Sequence, residues 1–154
     1  MTRDVRFQGI AVLLLAGIAL LPSCKHRGSM EPVEDADTIR KLEEEVQIAL
    51  PDDVALVAWR ESAIQPVRFW TWLFHSSTGF SMKPADVPSP GVYIPRRDPK
   101  IPAKFIQSLV PDQKLPKATA ASSLDWEDEQ YEFVGTVLET EGGYFLVVKR
   151  VRKD

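Results

Sequence analysis

The chain has 154 residues, 44% of them hydrophobic and 27% charged, with a net charge of −3 at pH 7; this length holds one domain with a real core, not two. The mild acidic balance argues against general nucleic-acid binding, which needs a concentrated basic surface. A single cysteine excludes an internal disulfide and any paired-cysteine metal site.

Arg3 and Arg6 outweigh Asp4 in the first eight residues, and Ile10 to Leu21 then runs for twelve residues without a charge. That length fits the apolar core of a signal peptide and falls short of the roughly 20 residues a membrane-spanning helix needs. Leu21-Pro22-Ser23-Cys24 follows, and the chain turns polar at once with Lys25, His26 and Arg27. Leu21, Ser23 and Cys24 resemble the lipobox of bacterial lipoproteins, with Pro22 departing from the small residue usual at its place. The resemblance covers residues 1–24 only. It implies cleavage between Ser23 and Cys24, a diacylglycerol thioether on the Cys24 sulfur and a fatty acyl group on its nitrogen. Two or more chains, at about 0.8 kcal/mol per buried methylene, hold a protein on a membrane for long periods.

Three other readings stand beside it: an uncut N-terminal helix, a signal peptide cut by the ordinary peptidase, or a core helix with an incidental cysteine. A core helix should show a polar face, and this run has none; no clean pair of small residues precedes Lys25 for ordinary cleavage. Processing at Cys24 removes residues 1–23 and leaves 131, losing two arginines and one aspartate, so that the charge moves from −3 to −4. The resemblance also implies a cell-envelope location. Lys25, not aspartate, follows the cysteine, which favours the outer membrane, facing the periplasm, in a bacterium that has one.

Residues 24–34 are expected to be the lipidated cysteine and a polar tether, and 35–154 a single globular domain. A helix is expected from about Asp37 to Leu50, with Ile39, Leu42, Val46 and Ala49 on one face, Asp35 or Asp37 as cap and Pro51 as stop. Glu43, Glu44 and Glu45 are consecutive and point in different directions, so they read as a solvated face, not as metal ligands. Val54 to Arg60 and Val67 to His75 read as strands. Period two puts Trp70, Trp72 and Phe74 on one side of the second. That row is either core, the commoner use of large rings, or an exposed ligand surface for a sugar, peptide or apolar group.

Residues 83–116 contain eight of the twelve prolines, which makes regular structure intermittent. Val92 to Ile94 is a candidate short strand. Pro102 to Leu109 is a candidate helical turn or two, with Phe105, Ile106 and Leu109 facing inward. Asp125, Glu127, Asp128 and Glu129 surround Trp126 in what reads as a solvated loop with Trp126 folded inward; the alternating ligands and mid-loop glycine of an EF-hand are missing. Gln130 to Glu139 and Tyr144 to Arg152, separated by Glu141-Gly142-Gly143, predict a C-terminal hairpin. Lys149, Arg150, Arg152 and Lys153 give it a basic end that could touch anionic lipid or a partner's acidic patch, although strand alternation splits Lys149 from Arg150.

The expected fold is α+β: an N-terminal amphipathic helix packed on a small, mostly antiparallel sheet that ends in the hairpin. No phosphate-binding glycine loop, HExxH or serine elbow is present, and no catalytic residue, metal site or cofactor is expected. The preferred reading is therefore a lipid-anchored, non-enzymatic accessory or binding module, its membrane contact made through Cys24 and its protein or glycan partner unspecified. The alternatives are a small hydrolase using His75 with a nearby serine and carboxylate, and a passive structural lipoprotein.

Overall fold

The computed structural model describes residues 25–27, 32–64, 67–83 and 92–153. The expected signal peptide, residues 1–23, and the expected lipidation site Cys24 lie outside them. Strands β1 (Lys25–Arg27), β2 (Ala55–Ile64), β3 (Val67–Ser76), β4 (Val92–Arg97), β5 (Ala118–Glu127), β6 (Tyr131–Thr140) and β7 (Gly143–Arg152) form one sheet in the order β1-β2-β3-β7-β6-β5-β4. Every neighbouring pair is antiparallel. Helices α1 (Ala36–Val46) and α2 (Lys100–Leu109) have only 11 and 10 residues.

This corrects the α+β expectation. The described residues are predominantly a single antiparallel sheet, and the two short helices among them each cover part of one face. The difference arises mainly from Ala118–Glu127. Its sequence, ATAASSLDWE, is poor in β-branched residues, so it carries little strand propensity of its own. Pairing along β6, from Ala118 opposite Thr140 to Glu127 opposite Glu132, decides its conformation, as context commonly does in sheets. The tether is corrected as well. Lys25–Arg27 pair with Trp59 to Glu61, and Val33 exchanges two backbone hydrogen bonds of 3.0 Å with Leu56.

The α1 N-terminus is set by Asp35, whose carboxylate accepts from the Thr38 amide at 2.9 Å and its hydroxyl at 2.7 Å. Those Thr38 bonds hold the Asp35 carboxyl below its ordinary range. The helix ends at Val46, short of the expected Leu50, because Gln47 turns left-handed at φ 59° and its amide closes on the Glu43 carbonyl. Leu42 and Val46 are buried, Ile39 is partly so, and Ala49 is exposed.

Strand alternation divides the sheet into two apolar layers. On the α1 side lie Trp72, Phe74, Leu124, Trp126, Phe133, Leu146 and Val148. On the α2 side, Ile106, Leu109 and Val110 pack on Leu73, Leu138, Phe145 and Val147. Trp126 folds inward and stacks on Phe133, ring centroids 5.4 Å apart and planes at 2°. The stack depends on Gly135, because a Cβ there would come within 2.8 Å of the indole. The β6–β7 hairpin turns through Glu141 and Gly142. Gly143 closes it at φ +121°, where a Cβ would lie 2.9 Å from both the His75 ring and the Ser76 carbonyl.

Candidate functional site

The row Trp70, Trp72 and Phe74 does not form an exposed ligand surface. Trp72 is 4% and Phe74 0% exposed, because both project into the layer that α1 closes. Trp70 is partly buried, and Arg150 from β7 covers it. The Arg150 guanidinium lies 4.5 Å from the Trp70 ring, 5.0 Å from Trp72 and 4.6 Å from Tyr131, and pairs with Glu45 of α1 at 3.0 Å. Three rings from β3 and β6 thus hold an internal cation. Arg150→Ala is expected to cost about 2 kcal/mol, the upper range of a desolvated cation–π contact. Glu45→Gln removes a partly exposed pair and should cost under about 1 kcal/mol. Urea unfolding of the two variants checks the ranking, and equal costs would make the ion pair the dominant contact.

The basic C-terminus is similarly divided. Lys153 pairs with Glu127 at 2.7 Å and donates to the Asp128 carbonyl at 2.8 Å, while Lys149 lies on the opposite sheet face from Arg150. In the acidic cluster, Asp128 organises the β5–β6 turn by accepting from the amides of Gln130 and Tyr131, both at 2.7 Å, and from the Gln47 side chain. Burial pushes the Asp128 carboxyl up, but those donors and Lys153 outweigh it and leave it lowered. Among the described residues no three His, Cys, Asp or Glu side chains are grouped to hold a metal ion.

The serines and a carboxylate near His75 do meet, but without the histidine. Asp53 accepts from the Ser76, Ser77 and Thr78 hydroxyls at 2.7, 2.6 and 2.8 Å, and from the Ser77 and Thr78 amides. These hydroxyl bonds, Ser77 first, drive its carboxyl well below the ordinary value of 3.8. The His75 ring lies against Phe145, centroids 4.9 Å apart, with Nε2 3.4 Å from the Gly142 carbonyl. The strand turns His75 and Ser76 to opposite faces, so this Asp53 cluster does not join His75 in a histidine–serine–carboxylate set. Because Asp53 has a depressed folded value, its stabilisation is fully present above its unfolded value near 3.8 and is lost as pH falls through the folded one. Asp53→Ala is therefore expected to be less stable than the parent at neutral pH, with the gap closing in strong acid. Unfolding curves across that range check this, and a gap independent of pH would refute it.

The opening with ligand-site character lies on the other face, a residue set that sequence reading did not assemble. A cleft of about 360 Å³ runs between α2 and strands β6 and β7, within the volumes of about 300–1,000 Å³ usual for small-ligand sites. Ile101, Pro102 and Phe105 form the helix wall, Val134 and Val147 the sheet wall, and Asp98 and Lys149 add one charge of each sign. Thr136 also lines it, its hydroxyl already paired with Ser123 at 2.9 Å.

Helical spacing explains the wall. Ile106, Leu109 and Val110 point at the sheet and are essentially fully buried. Ile101 and Phe105, one turn apart, fall on the adjacent strip and stay 74% and 41% exposed. Phe105 was expected inward with Ile106 and Leu109; the structure turns it to the cleft. Val134 is exposed as well. Single exposed apolar residues are ordinary; here Ile101, Phe105 and Val134 border one concavity. A smaller cleft of about 300 Å³ beside α1 is bounded by Trp59, Trp70, Glu45 and Glu61. No helix of the described residues is long and apolar enough to cross a membrane. No family model, curated protein or solved structure matches this chain.

Proposed function

We propose that this is a lipid-anchored lipoprotein of the bacterial envelope that works without catalysis, as a binding module whose ligand site is the cleft between α2 and the β6–β7 sheet face. The observation that carries the binding reading is that cleft: Ile101 and Phe105 remain open to solvent opposite Val134 and Val147. An apolar opening of this kind gains binding free energy when a ligand removes its surface from water, at roughly 25 cal/mol per Å². The lipobox resemblance supports the anchored location. The Asp53 cluster gives catalysis no comparable support, since its hydroxyls are spent on one carboxylate.

The test is recovery of the ligand. The full chain and its Phe105→Ser variant are isolated from envelopes of the native host, extracted with organic solvent and compared by mass spectrometry. An apolar small molecule is expected with the parent and is expected to be depleted from the variant. Equal recovery from both would place binding elsewhere. Reproducible absence from both would count against a small-ligand function.

A further inference from the structure

We propose that the ligand is a long-chain fatty acid, its chain lying between Ile101, Phe105, Val134 and Val147 and its carboxylate meeting the Lys149 ammonium. The inference rests on the cleft being the ligand site and adds the chemistry of the occupant. The cleft walls are hydrocarbon and one aromatic ring, and the Thr136 hydroxyl is already paired. Thr136, Lys149 and Asp98 are the three polar side chains of its lining, so a sugar or peptide would recover few of its hydrogen bonds to water, whereas an alkyl chain has none to lose.

The head group follows from the charges. Lys149 lines the cleft and is half-buried. Neither ion pair among the described residues involves it; its Nζ lies over the Phe69 ring, 4.7 Å from the centroid. A cation lining an apolar groove and held in neither of those ion pairs complements an anionic head. Asp98 is the cleft's one acidic residue, and its carboxylate accepts from the Lys100 amide at 3.0 Å, at the start of α2. With Asp98 also lining the cleft there is no surplus positive charge, so a singly charged carboxylate meets less repulsion there than a doubly charged phosphate. The volume of about 360 Å³ suits one chain and not a two-chain phospholipid.

Photolabelling of the full chain in isolated, ATP-depleted envelope membranes tests this. Three diazirine probes of equal chain length are compared: hexadecanoate, hexadecanol and a one-chain lysophosphatidate. Hexadecanoate is expected to label peptides containing Ile101 and Phe105. Lys149→Gln should lower that labelling about tenfold, as expected for loss of a charge-assisted bond, and leave hexadecanol labelling unchanged. Phe105→Ser should lower labelling by every probe. Hexadecanoate and hexadecanol labelling equally, with Lys149→Gln silent, would overturn the fatty-acid assignment and leave the apolar cleft standing. Preferential lysophosphatidate labelling would overturn it in favour of a phosphate head. No labelling of these peptides by any probe, in parent or variants, would overturn the cleft reading itself. Far-ultraviolet circular dichroism of both variants, whose changes are at solvent-accessible positions, confirms that the sheet persists.

Discussion

Phe74→Ala is expected to lower the stability of the domain by about 3–5 kcal/mol, the usual cost of removing a buried ring. Phe74 is 0% exposed and stands on β3, which is paired on both sides. Its cross-strand partners Leu56 and Leu146 belong to the same apolar layer. The cavity would thus open where β2, β3 and β7 hold one another in place and the backbone is least free to collapse. Total stabilities of small domains are about 5–15 kcal/mol, so this single change could consume most of the margin. Val67→Ala on the same strand is the control: Val67 is 37% exposed, and surface changes usually stay within about 0.5 kcal/mol. Urea unfolding followed by tryptophan fluorescence measures both. A loss under about 1 kcal/mol for Phe74→Ala would mean that the α1-side layer is not the stabilising core.

Cys24→Ser is expected to abolish acylation outright and leave an uncleaved precursor that retains residues 1–23. The expectation rests on the lipobox resemblance, and no other cysteine exists to substitute. Thiol and hydroxyl differ by one atom, yet only the thiol accepts the diacylglycerol group in the lipoproteins that this N-terminus resembles. The loss should therefore be complete, not graded. Intact mass of the host-expressed protein distinguishes the outcomes: an acylated chain beginning at Cys24 for the parent, and the full unmodified chain for the variant. A mature parent protein bearing unmodified Cys24 would refute lipidation. The domain should fold equally well in both, because the described sheet begins only at Lys25.

The C-terminal hairpin was legible because two β-rich runs flank glycines, and each signal is local. The α1 cap was legible in the same way, through Asp35 and the apolar spacing that follows it. β5 was not legible: alanine and serine carry little preference, and its pairing with β6 is information from another part of the chain. The cleft was hidden for a related reason. Its walls come from residues 101–105 and 134–149, and periodicity marks an apolar stripe on α2 without saying how much of it the sheet covers. Phe105 shows the limit, since it sits beside Ile106 in sequence and across the border of the buried strip in space. The spacing of the aromatic row admits two readings, and residues distant in sequence decide between them: α1 closes over Trp72 and Phe74, and Arg150 lies on Trp70.

An open sheet offers unpaired amides and carbonyls along its two outermost strands, and neighbouring copies can add to them without limit. Among the described residues this sheet leaves little to add to. On one side β1 is three residues long, Lys-His-Arg in sequence, and the Val33 bridge covers β2 further along at Leu56. On the other, β4 contains Pro95, which has no amide hydrogen to donate, and its register slips between Ile94 and Arg97. Both margins are therefore poor templates for polymerisation. For a protein proposed to be crowded into the plane of a membrane, that is protection against growth into fibrils.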